Sequence, residues 1–292
     1  MRIAYHIGAH CTDDNLLVAS LLKNRDALAE RSVFVPANHI YRAVIRDVLL
    51  QLRGQPANEE TQDFVLSEIM GDREADRLVL SFDHFLCGPA KVLGEGMLYP
   101  TAAERSAWLT NIFPDDPCEI FFAIRDPATF LPALYQKVAD KMSVGEFLQG
   151  IDPLALRWTE VVERIRDANP ECPLTVWCNE DTPLIWPAVL REVADVDQLV
   201  PMEGGYDVIQ TIMSSEGFKR MQTYIETHPP QTEVQHRRVM AAFLDKFALE
   251  DELDVEIDLP GWTDEMVEEL SARYEEDVYD IERMSGVTLI ST

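Results

Sequence analysis

Four short, continuously apolar runs, each ending in a polar or turn-forming segment that leads into a helical pattern, set the tightest limit on how this chain can fold. They are Arg2 to Ile7, Arg77 to Phe82, Cys118 to Ile124 and Leu174 to Cys178. A strand with one wet face alternates apolar and polar residues, whereas a strand covered on both faces stays apolar throughout. Strands of the second kind, separated by helices, predict βαβ units and a doubly wound α/β fold with a mostly parallel sheet.

Helix signals fill the intervals. Asn15 to Arg31 carries leucines at helical spacing behind Asp13, Asp14 and Asn15, any of which can cap it. Thr101 with Glu104 and Ser143 with Glu146 read as capping boxes, the first opening a helix that ends near Phe113 and Pro114. Asn58 is placed to cap a helix closed by Gly71, Pro127 to Lys141 reads as a further helix, and Asp152-Pro153 opens one running to Asn169-Pro170. After about residue 205 the strand signals fade and three helices follow, near 214–227, 233–249 and 264–285. Residues 1–292 are read as one domain, an α/β core over 1–205 with an acidic helical extension over 206–292 packed on it. Trp262, Leu270, Tyr274 and Ile281 supply the apolar face of that extension.

Charge narrows the partners. The chain has 25 basic and 52 acidic residues, a formal charge of −27, and residues 245–283 alone hold sixteen acids against three bases. That run reads as a solvated helical face. A chain so acidic repels phosphate backbones, which argues against nucleic acid or an anionic membrane as partner and leaves room for a local basic pocket. No apolar run reaches the roughly 18 residues of a spanning helix, and Asp13 and Asp14 interrupt any signal-peptide core, so the expected location is the cytoplasm. Five cysteines, at 11, 87, 118, 172 and 178, lack metal or disulfide spacing and are expected reduced.

In an open α/β sheet, ligands bind beyond the carboxyl ends of the strands. Those ends here are His6 to Asn15, Ser81 to His84, Ile124 to Pro127 and Cys178 to Asp181, and each contains a carboxylate. The first, with Gly8, Ala9, His10, Cys11, Thr12, Asp13, Asp14 and Asn15 before a leucine-rich helix, and the third, with Arg125-Asp126-Pro127 and Tyr135, resemble the PAPS-dependent sulfotransferases, particularly their bacterial members. The resemblance spans roughly residues 1–195. It implies a P-loop NTPase-like fold with Arg2 to Ile7 as a central strand, PAPS or its product PAP as the donor-site ligand, Arg125 on the nucleotide, and sulfuryl transfer to an acceptor bound by variable loops such as 88–99 and 199–217.

The loop departs from that family in the residues that carry chemistry. Cys11 stands where the family has lysine, Asp13 and Asp14 where it has glycine and threonine, and Ala133 where it has a serine for the 3′-phosphate. Four readings follow. An active sulfotransferase would use Asp83, His84 or His10 at the reacting centre, as base or ligand contact. A sulfotransferase-like protein without donor chemistry would bind another small molecule in the same crevice. A Mg²⁺-dependent phosphate-handling enzyme would use Asp13, Asp14, Asp83, Asp126, Glu180 and Asp181, although helix capping explains several of these and no metal is expected. Cys11 as a nucleophile lacks a clear base and is opposed by its acidic neighbours.

Overall fold

The computed structural model describes residues 1–198, 200–249 and 259–292. Leu199, at the start of one predicted acceptor loop, and part of the acidic run lie outside the described residues. Six strands form one sheet: β1 (Arg2–His6), β2 (Val33–Phe34), β3 (Arg77–Ser81), β6 (Cys118–Ile124), β7 (Leu174–Cys178) and β8 (Val287–Ile290). Their order is β2-β3-β1-β6-β7-β8 and every neighbouring pair is parallel. β4 (Leu93–Gly94) and β5 (Met97–Leu98) make a separate hairpin.

The helices are α1 (Leu16–Lys23), α2 (Arg25–Ala29), α3 (Asn38–Leu52), α4 (Glu59–Met70), α5 (Ala102–Thr110), α6 (Pro127–Gln136), α7 (Val144–Leu148), α8 (Trp158–Ala168), α9 (Thr182–Ala194), α10 (Asp207–Thr211), α11 (Ser215–Thr227) and α12 (Glu233–Phe247), followed by a C-terminal helix, Asp264–Glu282. They cover both faces of the sheet, which is why the strands are continuously apolar. Ile3, Tyr5, Ile7 and Phe122 face one core with Trp158, while Ala4, Val79, Phe121 and Trp177 face the other with Leu17, Leu21 and Trp186. The fold is therefore the α/β class the apolar runs imply, with β1 inside the sheet between β3 and β6.

Several local expectations are corrected. The Asn15 to Arg31 helix is two helices, broken at buried Asn24, whose amide donates to the Ser20 and Glu203 carbonyls and accepts from Glu203 N–H. Thr101 forms no capping box, because its hydroxyl donates instead to the Leu86 carbonyl. The Ser143–Glu146 box and the Asn58 cap both form. Asp152-Pro153 opens only a short 3-10 turn, and the chain straightens at Leu156 and Arg157 before α8 begins. Asp277, from the C-terminal helix, then accepts from the backbone N–H groups of Trp158 (2.8 Å) and Thr159 (3.4 Å). α6 ends at Gln136, earlier than Lys141. The largest miss lies past residue 205, where β8 returns to extend the sheet on β7. Leu270, Tyr274 and Ile281 are buried as part of the C-terminal helix face.

Candidate functional site

Parallel register brings the functional loops together. His6 of β1 pairs with Ser81 of β3 and with Phe121 of β6, so the segments after β1, β3 and β6 leave the sheet at one end. Gly8 has φ +122, a conformation reserved for glycine, and a Cβ there would lie 3.6–3.7 Å from the Asp83 backbone. The backbone angle, and not crowding, calls for glycine here, since a Cβ would make only ordinary contact with Asp83.

The loop closes on itself. Ala9 N–H donates to the Ala123 carbonyl at 2.9 Å, and His10 N–H donates to the Tyr99 hydroxyl at 2.9 Å. At the start of α1, Leu16 N–H donates to the Asp13 carbonyl (2.7 Å) and Leu17 N–H to its carboxylate (3.0 Å). An anion cradle needs such N–H groups free at a helix N-terminus. Here two at the start of α1, Leu16 and Leu17, and two in the loop, Ala9 and His10, are spent inside the protein, and the Asp13 carboxylate takes the place a phosphate would seek. The cations of the loop are likewise occupied: Arg125 donates to the Cys11 carbonyl (2.7 Å) and to Thr129 (2.9 Å), and Lys137 pairs with Asp14 at 2.7 Å. Arg125 is a strut for the loop. It pairs with neither Asp126 nor another acid among the described residues.

Cys11 is buried, and desolvation pushes its thiol up to about 11, which leaves it protonated and unsuited to nucleophilic attack. Thr12 donates to the Ala9 carbonyl, and Asn15 accepts from Asn38 and Arg42. The acids at the strand ends disperse. Asp126 caps α6 through Ala128 N–H, and Glu180 accepts from Asp126 N–H and the Tyr274 hydroxyl. With Asp13 on α1 and Asp14 on Lys137, they form no carboxylate cluster for Mg²⁺ among the described residues.

His10, Asp83 and His84 do come together. The His10 and His84 rings lie 5.0 Å apart, and His84 stacks on Phe82 at 4.9 Å. The Asp83 carboxylate is 3.8 Å from the His84 ring nitrogen. His10 is fully buried, with Nδ1 bonded to the Tyr99 hydroxyl at 2.8 Å; desolvation lowers its pKa to about 3, so it is neutral.

Beside His84 opens a cavity of about 710 Å³ between α3, the segment after β3 and the N-terminal part of α5. Phe82, Phe85, Leu86, Leu49 and Leu50 give it apolar walls, and Arg42, Arg46, Lys91 and Arg105 give it four cations. Among the described residues, no carboxylate lines it. Arg42 lies 4.2 Å over the Phe82 ring and Arg105 4.4 Å over Trp108, while Arg46 pairs with Asp47 outside the cavity lining. The sequence carries one local sign of these cations. The signal was present in α3, where Arg42, Arg46 and Leu49 recur at helical spacing and so share a face.

Neither a family model nor a curated protein matches the chain. Among solved structures, a sulfotransferase from Alicyclobacillus acidocaldarius is similar at 12% identity and a TM-score of 0.40, over 82% of this chain and 97% of that one. Likeness at that level assigns no residue a role.

Proposed function

We propose that this chain binds a small organic anion in the cavity beside His84, as a sulfotransferase-like protein whose donor loop no longer holds PAPS. The carrying observation is the cavity lining: four cations, apolar walls and, among the described residues, no carboxylate, in a chain with twice as many acids as bases. Its volume lies within the roughly 300–1,000 Å³ of small-molecule sites. The chemistry suits a ligand with an aromatic or aliphatic body and a sulfate, phosphate or carboxylate at one end. The closed loop supports the second half of the proposal, because Asp13 already satisfies the α1 N-terminus and Arg125 is committed to Cys11 and Thr129.

Calorimetry tests both halves, with an aryl sulfate, the corresponding neutral phenol and PAP as ligands. The aryl sulfate is expected to bind, the phenol to bind weakly, and PAP to leave the protein unaffected. Arg42→Ala and Arg105→Ala should each weaken the aryl sulfate by about tenfold or more, since a charge-assisted hydrogen bond contributes roughly 1.5–3 kcal/mol. Tight binding of PAP, lost in Arg125→Ala and accompanied by sulfuryl transfer from PAPS, would overturn the proposal. It would establish a working transferase with Asp83 or His84 as its base.

A further inference from the structure

The histidine pair at the strand ends has a feature that anion binding does not use. His10 is wholly buried, yet Nε2 makes no well-formed hydrogen bond and has only a weak contact to the Cys87 backbone. A buried imidazole nitrogen left unpaired costs free energy, and native interiors rarely keep one without a reason. Its other nitrogen is fixed on the Tyr99 hydroxyl, so Nε2 is the atom left to meet His84 and Asp83. Candidate ligand atoms from the three side chains, one each, lie within 4.8 Å of one another.

We propose that His10, Asp83 and His84 form a mononuclear site for a divalent first-row transition metal. Two imidazoles and one carboxylate are the donor set of open zinc and non-haem iron sites, and imidazole disfavours Mg²⁺ and Ca²⁺, which take oxygen. Tyr99 accepts from the His10 backbone N–H and meets Nδ1, which fixes the orientation of the ring as outer partners do for metal-binding histidines; ligation through Nε2 takes the tautomer in which Nδ1–H donates to the Tyr99 oxygen. His84 and Asp83 are partly exposed, so their side chains can swing inward to draw ligand atoms that now lie within 4.8 Å of one another onto a shared ion. Three protein ligands leave at least one position for water or for an anion, and His84 also lines the basic cavity. The inference stands on the three side chains and not on the cavity's ligand, so its test uses metal alone.

Metal-stripped full-length protein is titrated with Co²⁺, followed by visible absorption, and then with Zn²⁺ in competition with a chromogenic chelator. One equivalent of Co²⁺ is expected to give ligand-field bands that Zn²⁺ bleaches and excess Mg²⁺ does not. His84→Ala and Asp83→Asn remove partly exposed groups and should retain the wild-type circular dichroism; each should weaken binding by roughly tenfold or more. Tyr99→Phe, which frees the His10 ring, should weaken it by about 10–100-fold. The site is refuted by an absence of stoichiometric Co²⁺ bands, by equal affinity in His84→Ala and Asp83→Asn, or by displacement with Mg²⁺.

Discussion

Replacing Asp13 by alanine separates a loop that is structurally self-sufficient from one that is merely unliganded. In the native chain its carboxylate accepts from Leu17 N–H at 3.0 Å at the start of α1. Losing such a cap costs about 1 kcal/mol, with a range of roughly 0.5–2. For a chain of this size that is a fall in melting temperature of about 2–4 °C. The same substitution removes a negative charge from the seat of an anion. At about 4 Å and an effective dielectric of 20, two like charges repel by about 4 kcal/mol, roughly a thousandfold in affinity. Asp14 matters less, because Lys137 already neutralises it. Pyrophosphate should therefore leave the wild type unchanged in a thermal-shift assay but raise Asp13→Ala. At a hundredfold excess over Kd the gain is about 2.7 kcal/mol, more than the lost cap. The triple variant Cys11→Lys, Asp13→Gly, Asp14→Thr, which also releases Lys137, should go further and bind PAP. The reasoning fails if pyrophosphate stabilises wild type and Asp13→Ala alike, or if Asp13→Ala melts with the wild type.

Three further outcomes follow from the packing. Burial lowers the pKa of His6, which is stacked on Trp177 with Nδ1 on Ser81, below its ordinary 6.5. A depressed folded pKa means that unfolding takes up a proton, so this stability is complete above pH 6.5 and lost on acidification, by at most about 1.4 kcal/mol per pH unit. Urea midpoints at about pH 7.5 and about pH 5.5 should differ less in His6→Phe than in wild type, and an equal difference would remove His6 from the account. Gly217→Ala would place a Cβ 2.2 Å from the Phe247 Cβ, where α11 meets α12, and should cost about 1–3 kcal/mol by chemical denaturation; an unchanged midpoint would mean that the helices part freely. Asp277→Ala leaves Arg157 without its buried partner (3.0 Å) and α8 without its cap, and should cost about 3–5 kcal/mol, whereas a loss within 1 kcal/mol would show the contact to be incidental.

Much of the fold was legible because both-face burial writes itself into each strand locally. Cys118–Ile124 and Leu174–Cys178 have the boundaries that their apolar runs carry, and Ser143 and Asn58 cap the helices that follow them. What the sequence hid depends on distant partners. α8 starts at Trp158 because Asp277, 119 residues away, receives its first N–H. β8 is short and only partly buried, so nothing local sets it apart from a tail until β7 supplies its hydrogen bonds. At the site, Asp13 as a cap follows from its position before the leucines, but the Arg125 contact to Cys11 spans 114 residues and the Tyr99 contact to His10 spans 89. Those pairs decide whether the loop after β1 is open or closed, and neither could be read from the loop's own residues.

The cavity raises a question of sign that has a kinetic answer. A net charge of −27 opposes any anion approaching from solution, while Arg42, Lys91 and Arg105 attract it once inside. The two effects act over different distances. At physiological ionic strength the Debye length is about 8 Å, so the long-range repulsion is largely screened, while contacts near 3–4 Å in a partly enclosed site are screened far less. Added salt should therefore change the two rate constants of an aryl sulfate differently. Association should speed up as the net field is screened, the reverse of the usual steered encounter, and dissociation should also quicken as the local pairs weaken. Stopped-flow traces over a salt series read both constants directly. If association instead slows steeply with salt, a positive local field already dominates well outside the cavity mouth, and the acidic surface is too far from the entrance to govern approach.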